Sequence, residues 1–242
     1  PLINVMWDQG SGYNEYCPLD TRGPGGHVYA GCVAVAMAQC MSVYKHPTTG
    51  MGQKTYTSDN YGVQYVNFSA AQYKWSLMDN TSANENVALL LYHLGVAVNM
   101  NYGYDGSGAQ SSSVPLAISN YFDYSNQAKI ISKSSYTDTE WQNLLIEELN
   151  NGRPIYYSGN DGTSGHAFNV DGVNENNLFH LNWGWSGSYN GYYSIGSLTP
   201  GSNNFSSDQD AVINFAPRDN NPYDIILSNY SIKENLPINT IV

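Results

Sequence analysis

Residues 32–44 read CVAVAMAQCMSVY and are apolar on nearly every side of a helix. A helix that is apolar all round is buried in the centre of a protein. Gly31, directly before this stretch, allows a tight turn into the helix, and Pro47 stops it. The stretch therefore predicts a central buried helix whose first residue is a cysteine, Cys32.

The rest of the chain divides into a helical first half and a β-rich second half. Three further helices are predicted, over residues 85–98, 114–122 and 138–150. The last of them takes Asp138 or Thr139 as its N-cap. Short alternating runs of apolar and polar residues then predict an antiparallel meander, over residues 154–158, 166–173, 178–183, 191–195 and 211–215. The order of these elements predicts an α+β fold.

Composition narrows the class of protein. The 242 residues are 41% hydrophobic, which suffices for the core of one domain. The net charge of −11 argues against nucleic acid and anionic membranes as partners, because both need a basic face. No apolar run approaches the roughly 18 residues that span a bilayer. The acidic, Lys-poor composition fits an extracellular bacterial protein, so we expect secretion or display on the cell surface. The start, Pro1-Leu2-Ile3-Asn4, lacks a signal peptide layout, and we expect that the signal peptide is not present in this chain.

Cys32 is the candidate nucleophile. At the start of a helix a thiol feels the positive end of the helix dipole, which lowers its pKa and raises its thiolate fraction. The alternative is a structural role, since free cysteine is a common core residue. Cys17 and Cys40 complete an odd number of cysteines, so at least one thiol is unpaired within the chain. The sequence does not decide whether Cys17 and Cys40 form a disulfide.

Three further motifs carry polar side chains suited to catalysis. His166 follows the Gly-rich loop 159–165, which would hold its imidazole at a rim where it can act as a general base. The Asn182 amide could orient that imidazole, and Trp183 could shield the pair from water. The Gln9 amide could donate to a developing oxyanion. Taken singly, each also fits a structural or surface role. No residues have metal-ligand spacing, and we expect no cofactor.

Together these motifs resemble the streptopain family of bacterial cysteine peptidases. The resemblance runs in order over residues 1–215 and is carried by four motifs: Trp7-Asp8-Gln9-Gly10, Gly31-Cys32-Val33-Ala34, Gly165-His166-Ala167-Phe168 and Asn182-Trp183-Gly184-Trp185. It implies a papain-like fold of two lobes and a secreted cysteine endopeptidase that cleaves proteins or peptides. It also implies a zymogen that is inhibited by its own N-terminal prodomain, which is not present in this chain.

The resemblance also implies a role for each candidate residue. Cys32 would be the nucleophile, and His166 the base and later the acid. Gln9 and the Cys32 N–H would form the oxyanion hole, Asn182 would orient the imidazole, and Trp183 would cover that pair. In addition, Ser111 and Gly165 would border the pocket for the substrate side chain one residue before the scissile one, with an apolar preference.

Domain boundaries and rival functions complete the predictions. Residues 1–216 are predicted as the peptidase domain. Residues 217–242 are predicted as a linker and the start of a cadherin-like β-domain, because 231–235 read Ser-Ile-Lys-Glu-Asn. The main alternative is a catalytically inactive binding or adhesion module of a larger surface protein. An acyltransferase with the same catalytic residues and a carbohydrate-binding β-protein are further alternatives.

Overall fold

The computed structural model describes residues 1–218, in which helices and strands follow the predicted α+β order. The four helices are α1 (Cys32–Tyr44), α2 (Glu85–Ala97), α3 (Val114–Tyr121) and α4 (Asp138–Asn150) within this part of the chain. The eight strands described there are β1 (Gln53–Ser58), β2 (Gly62–Asn67), β3 (Lys129–Ser132), β4 (Ile155–Asn160), β5 (Gly165–Val173), β6 (Phe179–Asn182), β7 (Gly191–Tyr193) and β8 (Ser207–Ile213). The predicted fold class is confirmed.

Helix α1 lies at the centre of the molecule. Its residues from Val33 to Met41 are all buried, and the helix packs against α2 on one side and against β5 on another. A helix between a helical layer and a sheet has no side that faces water, which explains why its sequence has no polar face. Gln39 is the exception, a fully buried polar side chain within this helix.

The helix boundaries agree with the sequence prediction to within a residue, but the N-cap of α4 does not. The cap is Thr137, whose Oγ1 accepts a hydrogen bond from the Glu140 N–H at 3.3 Å. The Glu140 carboxylate accepts in return from the Thr137 N–H at 2.8 Å. This reciprocal pair is a capping box, which neither Asp138 nor Thr139 could form with Glu140. The prediction of Asp138 or Thr139 was therefore wrong.

The main sheet has six antiparallel strands in the order β3-β8-β4-β5-β6-β7. The predicted meander holds from β4 to β7 but is wrong for the last strand, because β8 pairs with β4. Strand β4 is largely buried, so its backbone needs hydrogen-bonding partners along both edges, and β8 returns to supply the second edge. Strand β3, which the sequence analysis did not predict, pairs with the other edge of β8.

Two hydrophobic cores divide the molecule into two lobes. One core surrounds α1 and α2 and includes Trp7, Met37 and Phe122. The other lies between α4 and the sheet and includes Trp141 and Phe168. The start of α1 and the start of β5 meet between these cores, and this is where the functional side chains lie.

The packed body continues two residues beyond the predicted boundary at residue 216. Pro217 forms a β-bridge with Tyr124, and the Arg218 N–H donates to the Asp123 carbonyl at 2.9 Å. Most of the predicted linker and the predicted cadherin-like strand, residues 219–242, lie outside the described residues. Within residues 1–218, no helix combines the length and the apolar character that crossing a membrane requires.

Candidate active site

Gly31 delivers Cys32 to the first turn of α1. Its φ of 94° lies in the left-handed region that favours glycine, and a Cβ there would meet Met100 Sδ at 2.6 Å. The chain can therefore turn sharply into α1 only with glycine at this position. Cys32 then begins the helix, where backbone N–H groups have no partners within the helix.

The surroundings of Cys32 act on its thiol in two opposing directions. Burial is the larger effect and raises the pKa of Cys32. The backbone N–H groups of Ala167, Val33 and Cys32 itself act in the opposite direction and lower that pKa. An isolated thiolate is thus disfavoured, and the sulfur needs a nearby acceptor for its proton.

One ring nitrogen of His166, on β5, makes a hydrogen bond, and the other is available as a base. Its Nε2 lies 2.9 Å from the carbonyl oxygen of Trp183. A carbonyl only accepts hydrogen bonds, so Nε2 carries a hydrogen, and in the neutral ring the lone pair is on Nδ1. Burial lowers the pKa of His166 to about 4, while the Trp183 carbonyl acts in the opposite direction. The resting imidazole is neutral at physiological pH.

An aromatic cage surrounds this imidazole. Trp185 stacks on it with ring centroids 4.6 Å apart and an interplanar angle of 26°, and Phe205 lies at 5.1 Å. Neither was predicted as a site residue, although Trp185 belongs to a motif that had been singled out. Phe205 arrives on the loop after β7, whose backbone approaches so closely that a Cβ on Gly159 would lie 2.0 Å from the Phe205 oxygen. No local pattern indicates that contact.

The structure places Asn182 differently from the prediction. Its Oδ1 accepts from Gln39 Nε2 at 3.1 Å and from the Gly184 N–H at 3.2 Å, and its Nδ2 donates to the Val5 carbonyl at 2.8 Å. The expected bond from Asn182 to His166 is replaced by the Trp183 carbonyl. The reason is burial, since an amide at 2% exposure must find partners, and α1 and the N-terminal segment supply them.

Trp183 touches the imidazole through two different groups. Its carbonyl holds Nε2, and its indole lies nearly parallel to the ring, at an interplanar angle of 14° and a centroid distance of 6.4 Å. Trp185 lies closer to the imidazole than Trp183 does. The predicted cover over the histidine is therefore shared between these two tryptophans.

A main-chain hydrogen bond holds Gln9 beside the start of α1. The Ala30 N–H donates to the Gln9 carbonyl at 2.9 Å, two residues before Cys32. Asp8 Oδ1 accepts from the Gln9 N–H at 2.6 Å, and its Oδ2 accepts from Ser186 Oγ at 2.7 Å. Asp8 thus connects the Gln9 segment with the loop after β6, and Gln9 is held near the nucleophile.

Cys32 and His166 line one cleft of about 970 Å³, together with Ser111 and Gly165. The structure thus brings the predicted substrate-binding residues to the same cleft as the predicted catalytic pair. The backbone of Ala167, the residue after His166, lowers the pKa of Cys32. No direct hydrogen bond joins the two side chains in the described residues.

The walls of the cleft carry both apolar and polar residues. The lining includes five apolar residues, Val33, Val98, Ala109, Ile130 and Ala167. Ser111 Oγ lies 2.8 Å from Tyr156 Oη and 3.3 Å from Ser158 Oγ, which fixes the loop before α3 against β4. Asp208 and Asp210 on β8 also line the cleft.

The remaining cysteines are unpaired, buried thiols. Burial raises the pKa of Cys17 to about 12 and raises the pKa of Cys40 well above its ordinary value. The disulfide left open by the sequence is not formed. Over residues 1–218, no group of three or more His, Cys, Asp or Glu side chains is arranged to hold a metal ion.

Comparison with known proteins places this geometry in a family. The model of the peptidase C10 family matches residues 7–193, which is well over half of the chain. The chain belongs to the peptidase C10 family. The resemblance to streptopain-like cysteine peptidases predicted from the four motifs is thereby confirmed.

Two curated bacterial relatives match over most of this chain. The thiol protease/hemagglutinin PrtT of Porphyromonas gingivalis is 34% identical over 96% of this chain and 29% of PrtT. Streptopain of Streptococcus pyogenes is 29% identical over 88% of this chain and 61% of streptopain. The chain thus spans less than two thirds of the length of either curated relative.

Solved structures agree with the fold. Active interpain A, a cysteine protease of Prevotella intermedia, matches with a TM-score of 0.82 at 34% identity, over 89% of this chain and 94% of interpain A. A prointerpain A fragment from the same organism matches with a TM-score of 0.79 at 33% identity, over 90% of this chain and 72% of the fragment. The papain-like fold is confirmed, and this chain is a member of a cysteine peptidase family.

Proposed function

We propose that this C10 chain is a cysteine endopeptidase in which Cys32 is the nucleophile and His166 the general base. One observation carries the proposal: a thiol at a helix N-terminus and an imidazole with a free Nδ1 line the same cleft. A base can activate a thiol when both face one substrate-binding space. The family match supports the reaction class.

The first step is a proton transfer within the pair. Cys32 loses its proton to His166 Nδ1, which gives a thiolate and an imidazolium. Burial disfavours each charge alone, but opposite charges formed together attract each other strongly at low dielectric. The N–H groups near the sulfur and the Trp183 carbonyl at Nε2 stabilise the two charges.

The thiolate then attacks the carbonyl carbon of the scissile peptide bond. The carbon–sulfur bond forms as the carbonyl electrons move to oxygen, and the Cys32 N–H and the Gln9 amide hold the oxyanion. His166 gives its Nδ1 proton to the leaving amine as the carbon–nitrogen bond breaks, which leaves a thioester. Water, deprotonated by His166, hydrolyses the thioester and restores the thiol. The sequence-predicted role of Gln9 is thus retained in the proposal.

We also propose that the substrate side chain one residue before the scissile one is apolar. Ser111 and Gly165 border the cleft that Cys32 lines, and five apolar residues are also part of its walls. Burial of an apolar side chain there gains about 25 cal/mol per Å² of surface removed from water. A larger apolar side chain at this position should therefore lower KM.

An acidic side chain at this position should be disfavoured. Asp208 and Asp210 line the same cleft, so a glutamate would meet like charge as well as apolar walls. We expect a glutamate peptide to be cleaved at least about tenfold less efficiently than its glutamine counterpart. Asp210→Asn, which keeps an oxygen for Ser132 Oγ, should narrow that gap and leave the glutamine peptide unchanged. An unchanged ratio in this variant would remove the role of Asp210.

Labelling with a peptidyl chloromethyl ketone tests the proposed function directly. The reagent should modify Cys32 alone, because Cys32 lines the cleft together with His166, whereas Cys17 and Cys40 are buried and are not part of its lining. Mass spectrometry of the digested chain would locate the adduct, and peptide cleavage with and without reductant would be followed in parallel. We expect one adduct per chain and loss of cleavage in proportion to labelling. Full cleavage by a fully labelled chain would contradict the proposal.

Two alternatives are outcomes of the same experiment. If the reagent labels Cys32 but the unlabelled chain cleaves no peptide, the chain is an inactive binding module, which the comparisons do not favour. Transfer of the acyl group to an added amine, faster than to water, would indicate an acyltransferase. Within residues 1–218, no structural observation specifically favours either alternative.

We further propose secretion, or display on the cell surface, and synthesis with an inhibitory N-terminal prodomain. The solved prointerpain A fragment, a pro-form with the same fold, supports the prodomain. The bacterial relatives and the acidic, Lys-poor composition support an extracellular location.

A further inference from the structure

Three buried amide side chains connect the helix of the nucleophile with the strand of the base. They are Gln39 and Asn169, both at 0% exposure, and Asn182 at 2%. Gln39 lies on α1 about two helical turns after Cys32. Asn169 lies on β5, three residues after His166. Neither Gln39 nor Asn169 was predicted as a site residue.

The hydrogen bonds among these groups run in one direction. Cys40 Sγ donates to Asn169 Oδ1 at 3.1 Å, Asn169 Nδ2 donates to Gln39 Oε1 at 2.8 Å, and Gln39 Nε2 donates to Asn182 Oδ1 at 3.1 Å. Each amide both gives and accepts. Because an unsatisfied buried amide is costly, turning any one of them would disturb the next. The chain of bonds therefore fixes the orientation of the Asn182 side chain.

One peptide plane connects Asn182 to the imidazole. Asn182 Oδ1 accepts from the Gly184 N–H at 3.2 Å, and this N–H shares a peptide unit with the Trp183 carbonyl. The unit is trans, so its N–H and C=O point in opposite directions. Holding the N–H at Asn182 therefore aims the carbonyl at His166 Nε2, 2.9 Å away.

We propose that Gln39 is a positioning residue for the peptidase reaction, acting with Asn169 and Asn182 through the Trp183–Gly184 peptide. It keeps the Trp183 carbonyl on His166 Nε2, which leaves Nδ1 as the base toward Cys32. This inference rests on the proposed function. Packing alone would be served better by an apolar residue at position 39, since α1 is otherwise buried and apolar there.

Gln39→Met tests the proposal, because methionine fills a similar volume and makes no amide hydrogen bonds. We expect kcat to fall about tenfold or more while KM changes by less than about threefold, as for the loss of groups that orient a reactive residue. The decisive readout is the rate of Cys32 alkylation by iodoacetamide against pH, per active site. At neutral pH this rate reports the thiolate formed with His166, and it should fall by the same factor as kcat/KM.

A control variant and a second test variant keep the proposal testable if Gln39→Met folds poorly. Met41→Leu, at an equally buried position of α1 outside these hydrogen bonds, is the control and should have rates near those of the wild type. Asn182→Ala removes the bond to the Gly184 N–H and should also lower the alkylation rate. In the double variant Gln39→Met/Asn182→Ala the two losses should not multiply, since both act on one peptide.

The outcomes separate this inference from the proposed function. An unchanged neutral-pH alkylation rate in both Gln39→Met and Asn182→Ala would overturn the positioning role, and so would losses that multiply in the double variant. Alkylation of Cys32 needs no peptide cleavage, so this comparison is decisive even for a chain that cleaves nothing. Absence of thiol-dependent cleavage by the wild-type chain would instead overturn the proposed function.

Discussion

Replacing Cys32 by alanine is expected to lower kcat/KM on the order of 10⁴-fold or more, to the background of the assay. The reason is chemical, because no other group in the cleft can form the thioester. Cys32→Ser should be nearly as inactive, since a hydroxyl has a far higher pKa than a thiol and His166 does not ionise it readily. The measurement is hydrolysis of a fluorogenic peptide with an apolar residue before the scissile one, with reductant present.

Cys17→Ala is the matched control for this change. It removes a buried thiol of the helical lobe that does not line the cleft, and it should retain most of the activity at some cost in stability from the small cavity. Cys32→Ala itself should unfold within a few degrees of the wild type, because Cys32 lies at the surface of the cleft. Thiol-dependent proteolysis by Cys32→Ala would show that the nucleophile has been assigned to the wrong residue.

Replacing His166 by glutamine is expected to lower kcat/KM on the order of 10³-fold, within the range for loss of a general base. Glutamine can still donate a hydrogen bond toward the Trp183 carbonyl, but it has no basic nitrogen for the Cys32 proton. His93→Gln is the matched control. His93 is also buried, and burial lowers its pKa to about 4 as well, but its ring contacts Tyr73 in the helical lobe. We expect His93→Gln to keep its kcat.

The pH profile of the wild-type chain gives a second measure of His166. Only the neutral imidazole can take the Cys32 proton, and burial lowers the pKa of His166 to about 4. We therefore expect kcat/KM to hold as the pH falls from 7 to 5 and to fall through about pH 4. An acid limb near pH 6.5 would instead indicate a solvated histidine.

Folding stability should follow the same groups. A histidine whose folded pKa is depressed binds more protons in the unfolded state, so stability is fully present above about pH 6.5. It is lost as the pH falls from there toward about 4, and His93 adds to the effect. His166→Gln should make the unfolding free energy less sensitive to pH in this window.

Local patterns in the sequence sufficed for the helices and for the motifs of the site. The apolar run after Gly31 predicted α1 with its observed bounds, because a helix that is apolar on every side is stable only where it is buried. The capping box of α4 was also present in the sequence as Thr137-x-x-Glu140, and the choice of Asp138 or Thr139 overlooked it. These features depend on residues within a few positions of one another.

Strand order could not be predicted in the same way. Strand β8 follows β7 in the chain but pairs with β4. Asp208 and Asp210 on β8 thereby line the cleft. The loop that precedes this strand places Phe205 on His166. Pairing between distant strands is set by which edges are free once the cores have packed, and no short motif encodes that.

The sequence by itself determined the fold class, the central helix that begins with Cys32, and the residue types of the site. Only the tertiary structure decided which groups hold His166. A buried amide such as Asn182 has several hydrogen bonds to make and no local preference among partners. Packing of α1 against β5 brought Gln39 within its reach, and the planar peptide after Trp183 then directed a carbonyl to the imidazole.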